Sequence, residues 1–198
     1  MAEQPRADRA AMTEEEIRAS WVGEPRPLAG RIVLADYDPA WPERYRREAG
    51  RVRAALGGRA LLLEHVGSTA VPGLAAKPIV DVVLEVADPA DERAWLPALE
   101  AAGYVLVIRE PDWYQHRVLK GPDTDVNLHV FPRGCPEVQR MLAFRDHLRA
   151  NRADRELYER TKRELAGRDW KYVQNYADAK TAVVEEIVAR AREAAAGR

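Results

Sequence analysis

The stretch Ile79-Val-Asp-Val-Val-Leu-Glu-Val86 decides the fold class, because its residues alternate with the period of a β-strand. Its even-numbered positions are all apolar, whereas the opposite face carries Asp81 and Glu85. The Cα atoms of these two residues lie about 13 Å apart, because a strand rises about 3.3 Å per residue. Their carboxylates are therefore too far apart to hold one ion together. One interpretation is an antiparallel strand with a partly solvated face. The other places Asp81 at a functional site.

Strands and helices alternate on both sides of this stretch and then give way to helices alone. Apolar patterns predict further strands over residues 32–35, 61–66, 104–108, 113–120 and 124–131, the last two joined as a hairpin. Helices are predicted over residues 38–58 and 91–102, and helical periodicity continues from residue 136. This order predicts an α+β fold, a mixed β-sheet flanked by helices, with a helical C-terminal third.

The first 29 residues differ from the rest of the chain. A capping-box spacing from Thr13 to Glu16 predicts a short helix, which Gly23, Pro25 and Pro27 stop. We therefore interpret residues 1–29 as an N-terminal arm and residues 30–198 as one domain, since 198 residues comfortably form a single core.

Charge and cysteine content narrow the classes of partner. Lys and Arg total 31 against 32 for Asp and Glu, so no bulk charge attracts nucleic acid or an anionic membrane. No apolar run approaches the roughly 20 residues that span a bilayer, and the first residues do not resemble a secretory signal. The single cysteine, Cys135, excludes an intrachain disulfide. We expect a cytoplasmic protein with neither membrane nor nucleic-acid partners; the oligomeric state stays open.

A second polar strand face accompanies Asp81. Asp125, Asn127 and His129 alternate with apolar residues, so they project to one face of the predicted strand 124–131. If this face and that of Asp81 coincide, a carboxylate with an amide or an imidazole could hold a hard cation such as Mg²⁺ against phosphate oxygens. The alternative is structural, because a lone histidine is more often a core residue than a ligand.

The segment Gly67-Ser-Thr-Ala-Val-Pro-Gly73 joins the strand 61–66 to the stretch quoted first. Glycine permits close backbone approach, successive amides can bind an anion, and Ser68 and Thr69 add hydroxyl donors. The segment lacks the Lys-Ser/Thr ending of a P-loop and the three glycines of a Rossmann fingerprint. An ordinary strand-ending turn is the alternative.

Three lysines occupy positions where burial of a charged side chain would need compensation. Lys180 stands four residues after Tyr176 on an apolar helical stripe, Lys162 stands four after Tyr158, and Lys77 precedes a proline. Burial of an unpaired ammonium costs several kcal/mol. Each lysine therefore either extends its charge to solvent, forms a structural ion pair, or binds an anion such as a triphosphate.

Longer motifs resemble a known family. They are Asp36-Tyr-Asp-Pro-Ala-Trp-Pro42 and His65-Val-Gly-Ser-Thr-Ala-Val-Pro-Gly-Leu-Ala-Ala-Lys-Pro-Ile-Val-Asp81, followed by Asn127-Leu-His-Val130, Phe144-Arg-Asp-His-Leu148, and the Tyr-x-x-x-Lys pairs named above. Together they resemble the GrpB family, a branch of the nucleotidyltransferase (DNA polymerase β-like) superfamily, over about residues 30–190.

The resemblance implies roles for several residues. Gly67 and Ser68 would be the turn that holds nucleotide phosphates, and Asp81 would be the first metal-binding carboxylate. The superfamily's second acid stands two positions later, where this chain has Val83. A third acid from a later strand would correspond to Asp125, Asn127 or His129. The Val83 departure disfavours ordinary two-metal transfer, which needs carboxylates that bridge two ions.

The expected function follows from these roles. Asp81 and His129 would be catalytic, and Asp81, Asn127 and His129 would hold Mg²⁺. The expected phosphate-binding residues are Gly67, Ser68, Thr69, Lys77, Lys162 and Lys180. We expect Mg²⁺-assisted transfer from a nucleoside triphosphate to a small-molecule acceptor. The alternatives are an ATP-dependent amide-forming enzyme on the same fold, and a nucleotide- or anion-binding module without catalysis.

Overall fold

The computed structural model describes residues 11–28, 30–123 and 125–196, in which it forms a five-stranded sheet and seven α-helices. The strands are β1 (Leu62–Val66), β2 (Val80–Val86), β3 (Val105–Glu110), β4 (His116–Lys120) and β5 (Val126–Pro132). The helices are α1 (Glu14–Ser20), α2 (Trp41–Leu56), α3 (Glu92–Ala101), α4 (Pro136–Ala150), α5 (Arg152–Ala166), α6 (Val173–Asp178) and α7 (Thr181–Ala196). The predicted α+β class with a helical C-terminal third is confirmed.

The sheet is mixed, with the strand order β1-β2-β5-β4-β3. Its central pair, β2 and β5, is parallel, and the other three pairs are antiparallel. The register sets Asp81 beside Asn127 and Val83 beside His129. Because residues paired in register point to the same face, the polar positions of β2 and β5 share one side of the sheet.

Apolar side chains on both faces bind the sheet to helices. On one face, Trp41 of α2 and Trp95 of α3 pack with Val82 and Leu128 in the largest core cluster. The opposite face carries Phe131, which packs with residues of α4. Full burial of such side chains stabilises the fold by about 1.5–3 kcal/mol each. The C-terminal helices thus cover the face that bears Asp81.

The structure corrects two predicted strands. Residues 32–35 form no strand; only Ala35 makes an isolated antiparallel bridge, to Ala76. Ile32 is buried because it packs with Leu165 and Tyr176 of the helical layer, not because it pairs in the sheet. The predicted strand 113–120 begins at His116, since the residues before it form a turn.

Smaller differences concern element ends. The predicted strand 124–131 begins at Val126, and Thr124 lies outside the described residues, as do residues 1–10 of the arm. The helix predicted over residues 38–58 spans Trp41–Leu56. Lys180 is not within a helix as predicted: it lies in a two-residue turn between α6 and α7, and its carbonyl accepts the amide of Val184. The apolar spacing continued across this break and concealed it.

The described part of the arm packs along β3 and the start of α6. Ile17 of α1 is buried, Trp21 bridges Ile108, and the Leu28 amide donates to the carbonyl of Lys171 at 2.9 Å. A short capping box at Thr13 begins α1 as predicted. Among the described residues, no helix combines the length and the apolarity needed to cross a membrane.

Candidate functional site

A cavity of about 560 Å³ lies between the Asp81 face of the sheet and the helical layer. All nine predicted site residues line it: Gly67, Ser68, Thr69, Lys77, Asp81, Asn127, His129, Lys162 and Lys180. Asp125 is not among the described lining residues, and its carboxylate lies 3.5 Å from the Lys120 ammonium at an exposed position. The structure thus brings the nine residues together and leaves Asp125 outside.

The turn after β1 contacts Asp81 directly. Gly67 has a φ of 70°, and a Cβ at this position would lie 2.4 Å from Asp81 Oδ2. Only glycine allows both this backbone conformation and this approach. The turn and the carboxylate therefore form one wall of the cavity.

Asp81 is held by its neighbours on β5. The Asn127 amide nitrogen donates to Asp81 Oδ1 at 2.7 Å, and His129 Nε2 lies 3.7 Å from the same oxygen. Burial acts to raise the pKa of Asp81, but contacts with His129, the Asn127 amide and the Lys77 charge outweigh it and leave that pKa below its usual value. Asp81 is therefore an ionised carboxylate that faces the cavity.

Thr69 serves the turn itself. Its hydroxyl donates to the Ile79 carbonyl at 3.3 Å and therefore accepts from His65 Nε2, 3.0 Å away. The His65 ring stacks on Tyr45, and burial lowers the pKa of His65 to about 4, so the ring is neutral. Thr69, predicted as a phosphate ligand, has its hydroxyl engaged inside the protein.

Lys162 of α5 anchors the loop that follows the turn. Its ammonium donates to Ser68 Oγ at 3.1 Å and to the Ala75 carbonyl, and it lies 4.9 Å from the centre of the Tyr158 ring. Burial lowers the pKa of Lys162 to about 7. Lys162 therefore holds the loop in place through its hydrogen bonds. Its buried positive charge is also unfavourable when no anion is bound.

Lys77 and Lys180 flank Tyr176. Their ammonium groups lie 5.9 Å and 4.7 Å from the centre of its ring. Burial is the main cause that lowers the pKa of each lysine to about 8, against the opposing attraction of Asp81. The Tyr176 hydroxyl is buried and has no hydrogen-bond partner in the described structure. Buried hydroxyls normally have a partner, so this one calls for an explanation.

The cavity also concentrates lysine. The chain has five lysines among 31 basic residues, namely Lys77, Lys120, Lys162, Lys171 and Lys180. Four of them line the cavity, and Lys171 does not. Arg26 adds a fifth cation, whereas Asp81 is the single acid among the described lining residues. The overall charge of the chain is close to zero, so this local excess of positive charge cannot be seen from the composition.

A hydrogen-bonded chain that the sequence did not predict leads to His129. Glu110 Oε2 lies 2.7 Å from His116 Nδ1, and His116 Nε2 lies 3.0 Å from His129 Nδ1. His116 is buried and stacks between Phe131 and His129. Because a carboxylate only accepts, His116 in its neutral form carries its proton on Nδ1 and accepts the Nδ1 proton of His129. His129 Nε2 then faces Asp81, 3.7 Å from Oδ1, and donates to that carboxylate when the ring is doubly protonated.

The turn before His116 is conformationally unusual. Tyr114 and Gln115 both have positive φ, 52° and 53°, although neither is glycine. Such conformations are costly outside glycine and persist where the surroundings impose them. Nothing in the composition of residues 113–115 indicates these conformations, so the Glu110–His116 pair could not be predicted from the residue types.

A known protein family matches the part of the chain that contains the nine predicted site residues. The family model described as GrpB protein matches residues 31–190. The chain belongs to the GrpB family. GrpB relatives include a UPF0157 protein of Halalkalibacterium halodurans, 58% identical over 90% of this chain and 92% of its own. A UPF0157 protein of Streptomyces coelicolor is 50% identical over 83% of this chain and 87% of its own.

A solved structure and a more distant protein extend the comparison. The crystal structure of conserved protein GrpB from Enterococcus faecalis has a TM-score of 0.70 and 31% identity, covering 80% of this chain and 96% of that one. A dephospho-CoA kinase of Mycolicibacterium paratuberculosis is 31% identical over 69% of this chain, but the match spans only 40% of that protein.

Val83 occupies the position where the resemblance to nucleotidyltransferases implied a second acid, and it belongs to the apolar core. Val83 is fully buried and packs with Val66 and Phe131. A carboxylate there would lose its hydration among apolar side chains, which costs several kcal/mol. Among the described residues, no group of three or more His, Cys, Asp or Glu side chains is arranged to hold a metal.

Proposed function

We propose that this cavity binds the phosphates of a nucleoside triphosphate and that the chain is a transferase, which transfers the nucleotidyl group to a small-molecule acceptor and releases pyrophosphate. The observation that carries the proposal is the charge of the wall, where five described side chains are cationic against the one acid, Asp81. Three of these cations, Lys77, Lys162 and Lys180, are buried or half-buried, and like charges in a poorly solvated space repel one another. A polyphosphate would remove a cost that the free protein bears.

The Tyr176 hydroxyl supports the same proposal. It is buried, lines the cavity and is without a hydrogen-bond partner in the described structure. A phosphate oxygen between Lys77 and Lys180 would accept its proton. The hydroxyl and both ammonium groups would then share one anionic ligand.

Magnesium fits the site if the nucleotide supplies most of its ligands. Mg²⁺ prefers oxygen and often takes only one or two carboxylates together with substrate phosphates. Asp81 and the Asn127 carbonyl oxygen would hold the ion; the imidazole nitrogen of His129 suits Mg²⁺ less and fits better as a partner of Asp81. The ion would supply charge neutralisation at the phosphates. With Val83 in the core, we propose one ion and not two.

The dephospho-CoA kinase similarity favours nucleotide-related chemistry in a general sense. It does not extend the kinase reaction to this chain, because the match covers less than half of that protein. This chain also lacks a P-loop motif, the phosphate cradle of many kinases.

Titration of ATP with and without Mg²⁺ tests the binding step. The Lys180→Met variant keeps much of the side-chain length but loses the charge, and we expect weaker binding by about 1.5–3 kcal/mol, or roughly 10- to 150-fold. Lys171→Met is the matched control, since Lys171 pairs with Glu14 at 2.6 Å outside the cavity. Melting curves of both variants identify any loss of fold. Unchanged affinity in Lys180→Met and in Lys77→Met would refute the proposal.

Product analysis tests the transfer step. Native protein, ATP and Mg²⁺ are incubated with a pool of small acceptors, and products are found by mass spectrometry. A nucleotidylated acceptor supports the proposed transferase, whereas an amide product identifies an ATP-dependent amide-forming enzyme. Binding without any product and without dependence on Mg²⁺ would indicate a binding module. Asp81→Asn should abolish turnover while inorganic triphosphate still binds in the absence of Mg²⁺.

A further inference from the structure

The cavity has a second end whose chemistry differs from that of the lysine cluster. Here its wall is made by Ile17 and Trp21 of the arm, Ile108 and Val118 of the sheet, and Val173 of α6. We call these five residues the apolar end. Because one continuous cavity contains both ends, a ligand in the apolar end would reach the residues of the proposed site.

The sheet register places the apolar end next to His129. Val118 of β4 pairs with His129 of β5, Ile108 of β3 pairs with Val118, and Trp21 bridges Ile108. These four residues form a row across neighbouring strands. With about 4.8 Å between strands, the row extends about 14 Å from His129 to Trp21. It is long enough for the body of a small molecule whose reactive group lies at His129 and Asp81.

The arm completes this end of the cavity from outside the family match. Residues 12–28 precede the matched range 31–190, yet they are fixed to the domain. The Val22 amide donates to the Val107 carbonyl at 3.0 Å, and Glu14 pairs with Lys171 at 2.6 Å. Ligand selection at this end would therefore depend on a segment that the family model does not include.

We infer that the apolar end binds the aliphatic or aromatic body of the acceptor, an inference that rests on the proposed function. A nucleobase fits less well, because its edges carry hydrogen-bonding groups that must be satisfied when buried. Among the described polar side chains near this end, the Gln174 amide already donates to Asp178 at 2.7 Å, Arg26 is exposed, and the Lys120 ammonium lies 3.5 Å from the Asp125 carboxylate. The wall is suited to a group without polar edges.

A series of primary alcohols from 1-butanol to 1-octanol tests the inference. These probes are uncharged, so the lysine cluster does not attract them, and their binding is followed by NMR on the full-length protein without nucleotide. Each buried methylene should tighten binding about fourfold until the end of the cavity is reached. Absence of a chain-length dependence would overturn the inference.

Two variants locate the binding. Trp21→Ala opens the apolar end, and Val118→Thr adds a hydroxyl there at nearly constant volume. We expect each to weaken 1-octanol binding at least threefold. Val22→Ala is the matched control, because Val22 lies on the same arm, is exposed and does not line the cavity. Val118→Thr keeps the test valid if Trp21→Ala loosens the arm. Equal octanol affinity in all variants would refute the location.

Titrations with ATP and with inorganic triphosphate separate this inference from the proposed function. If the acceptor occupies the apolar end, Trp21→Ala leaves both affinities within twofold of native. If Trp21→Ala weakens ATP but not inorganic triphosphate, the base occupies the apolar end and the inference is wrong. If native protein binds octanol but not triphosphate, the apolar end is a ligand site and it is the proposed nucleotide function that fails.

Discussion

Glu110 and His116 act on the site through His129. The carboxylate fixes the proton on His116 Nδ1, and His116 Nε2 in turn fixes the proton on His129 Nδ1. The nitrogen of His129 that faces Asp81 therefore needs a second proton on the ring before it can donate to the carboxylate. Supporting contacts of this kind commonly contribute 10- to 100-fold to the affinity or activity of a site.

His116→Phe tests this arrangement. Phenylalanine retains a flat ring that can stack on Phe131 but provides no acceptor for the His129 proton. We expect His129 to change to the tautomer protonated on Nε2, which can donate to Asp81. Nitrogen NMR of the histidine rings detects the change. His147→Gln is the control, because His147 contacts Asp154 and is not part of the hydrogen-bonded series from Glu110 to His129. A His129 tautomer that is the same in native and His116→Phe protein would contradict the prediction.

Sequence alone predicted which residues of the turn and of β2 lie together at the candidate site. One continuous motif, from His65 to Asp81, contains both the turn and the carboxylate, so their proximity follows from local chain geometry. The Glu110–His116 pair could not be found in this way, because its contact with His129 depends on the register of β4 against β5. The ionisation of Asp81 and the tautomers of His116 and His129 could be inferred only from the distances between their polar atoms.

The turn between β1 and β2 shows how an element is adapted to its side chains. Gly67 and Gly73 both have positive φ, 70° and 77°, so alanine is strained at either position. They differ in surroundings: an added Cβ at Gly67 would strike Asp81 at 2.4 Å, whereas one at Gly73 would meet nothing within 4 Å. The pair therefore separates backbone strain from steric contact.

Gly67→Ala should accordingly be the more damaging substitution. We expect Gly73→Ala to cost about 1–2 kcal/mol of unfolding free energy from the backbone alone, and Gly67→Ala to cost more because Asp81 must move. Denaturant unfolding measures both values. Mg²⁺-dependent ATP binding should be lost in Gly67→Ala and kept in Gly73→Ala. Equal effects of the two substitutions on stability and on binding would show that the Asp81 contact is unimportant.

The predictions of strands and helices failed where apolar residues are buried by contacts other than those of a regular strand or helix. Ile32 is apolar and buried, which is typical of a strand, but it is covered by α5 and α6 and has no ladder. The break at Lys180 was missed because two turn residues preserve the inward spacing of Tyr176 and Val184. In contrast, β2 and β5 were predictable from their sequences: the even-numbered positions of both strands are apolar up to Val130, and β5 alternates between buried and partly exposed residues from Val126 to Val130.

In the folded molecule, three lysines of the cavity carry positive charge that burial makes unfavourable. Burial lowers the pKa of Lys162 to about 7 and those of Lys77 and Lys180 to about 8. All three lysines are therefore more easily deprotonated in the folded chain than in the unfolded chain. An anion that favours their charged forms must raise these pKa values again, and binding then takes up protons.

Calorimetry should detect this uptake. At pH 8 we expect triphosphate binding to take up about one to two protons, and at pH 6 close to none, because the lysines are then already charged. Affinity should accordingly fall as pH rises from 7 to 9. Titrations in two buffers with different ionisation enthalpies give the proton number. Lys171→Met should leave it unchanged and Lys180→Met should reduce it; no uptake at pH 8 would contradict the linkage.

The parallel pairing of β2 with β5 has a consequence for folding as well as for the site. A slip of one residue in β2 would turn Asp81 toward the layer of Trp41 and Trp95 and would bring Val80 or Val82 to the cavity. The slipped strand would thus bury an unpaired carboxylate, at a cost of several kcal/mol. Asp81 therefore makes misaligned sheets unstable, and the same side chain that serves the cavity also enforces correct strand alignment during folding.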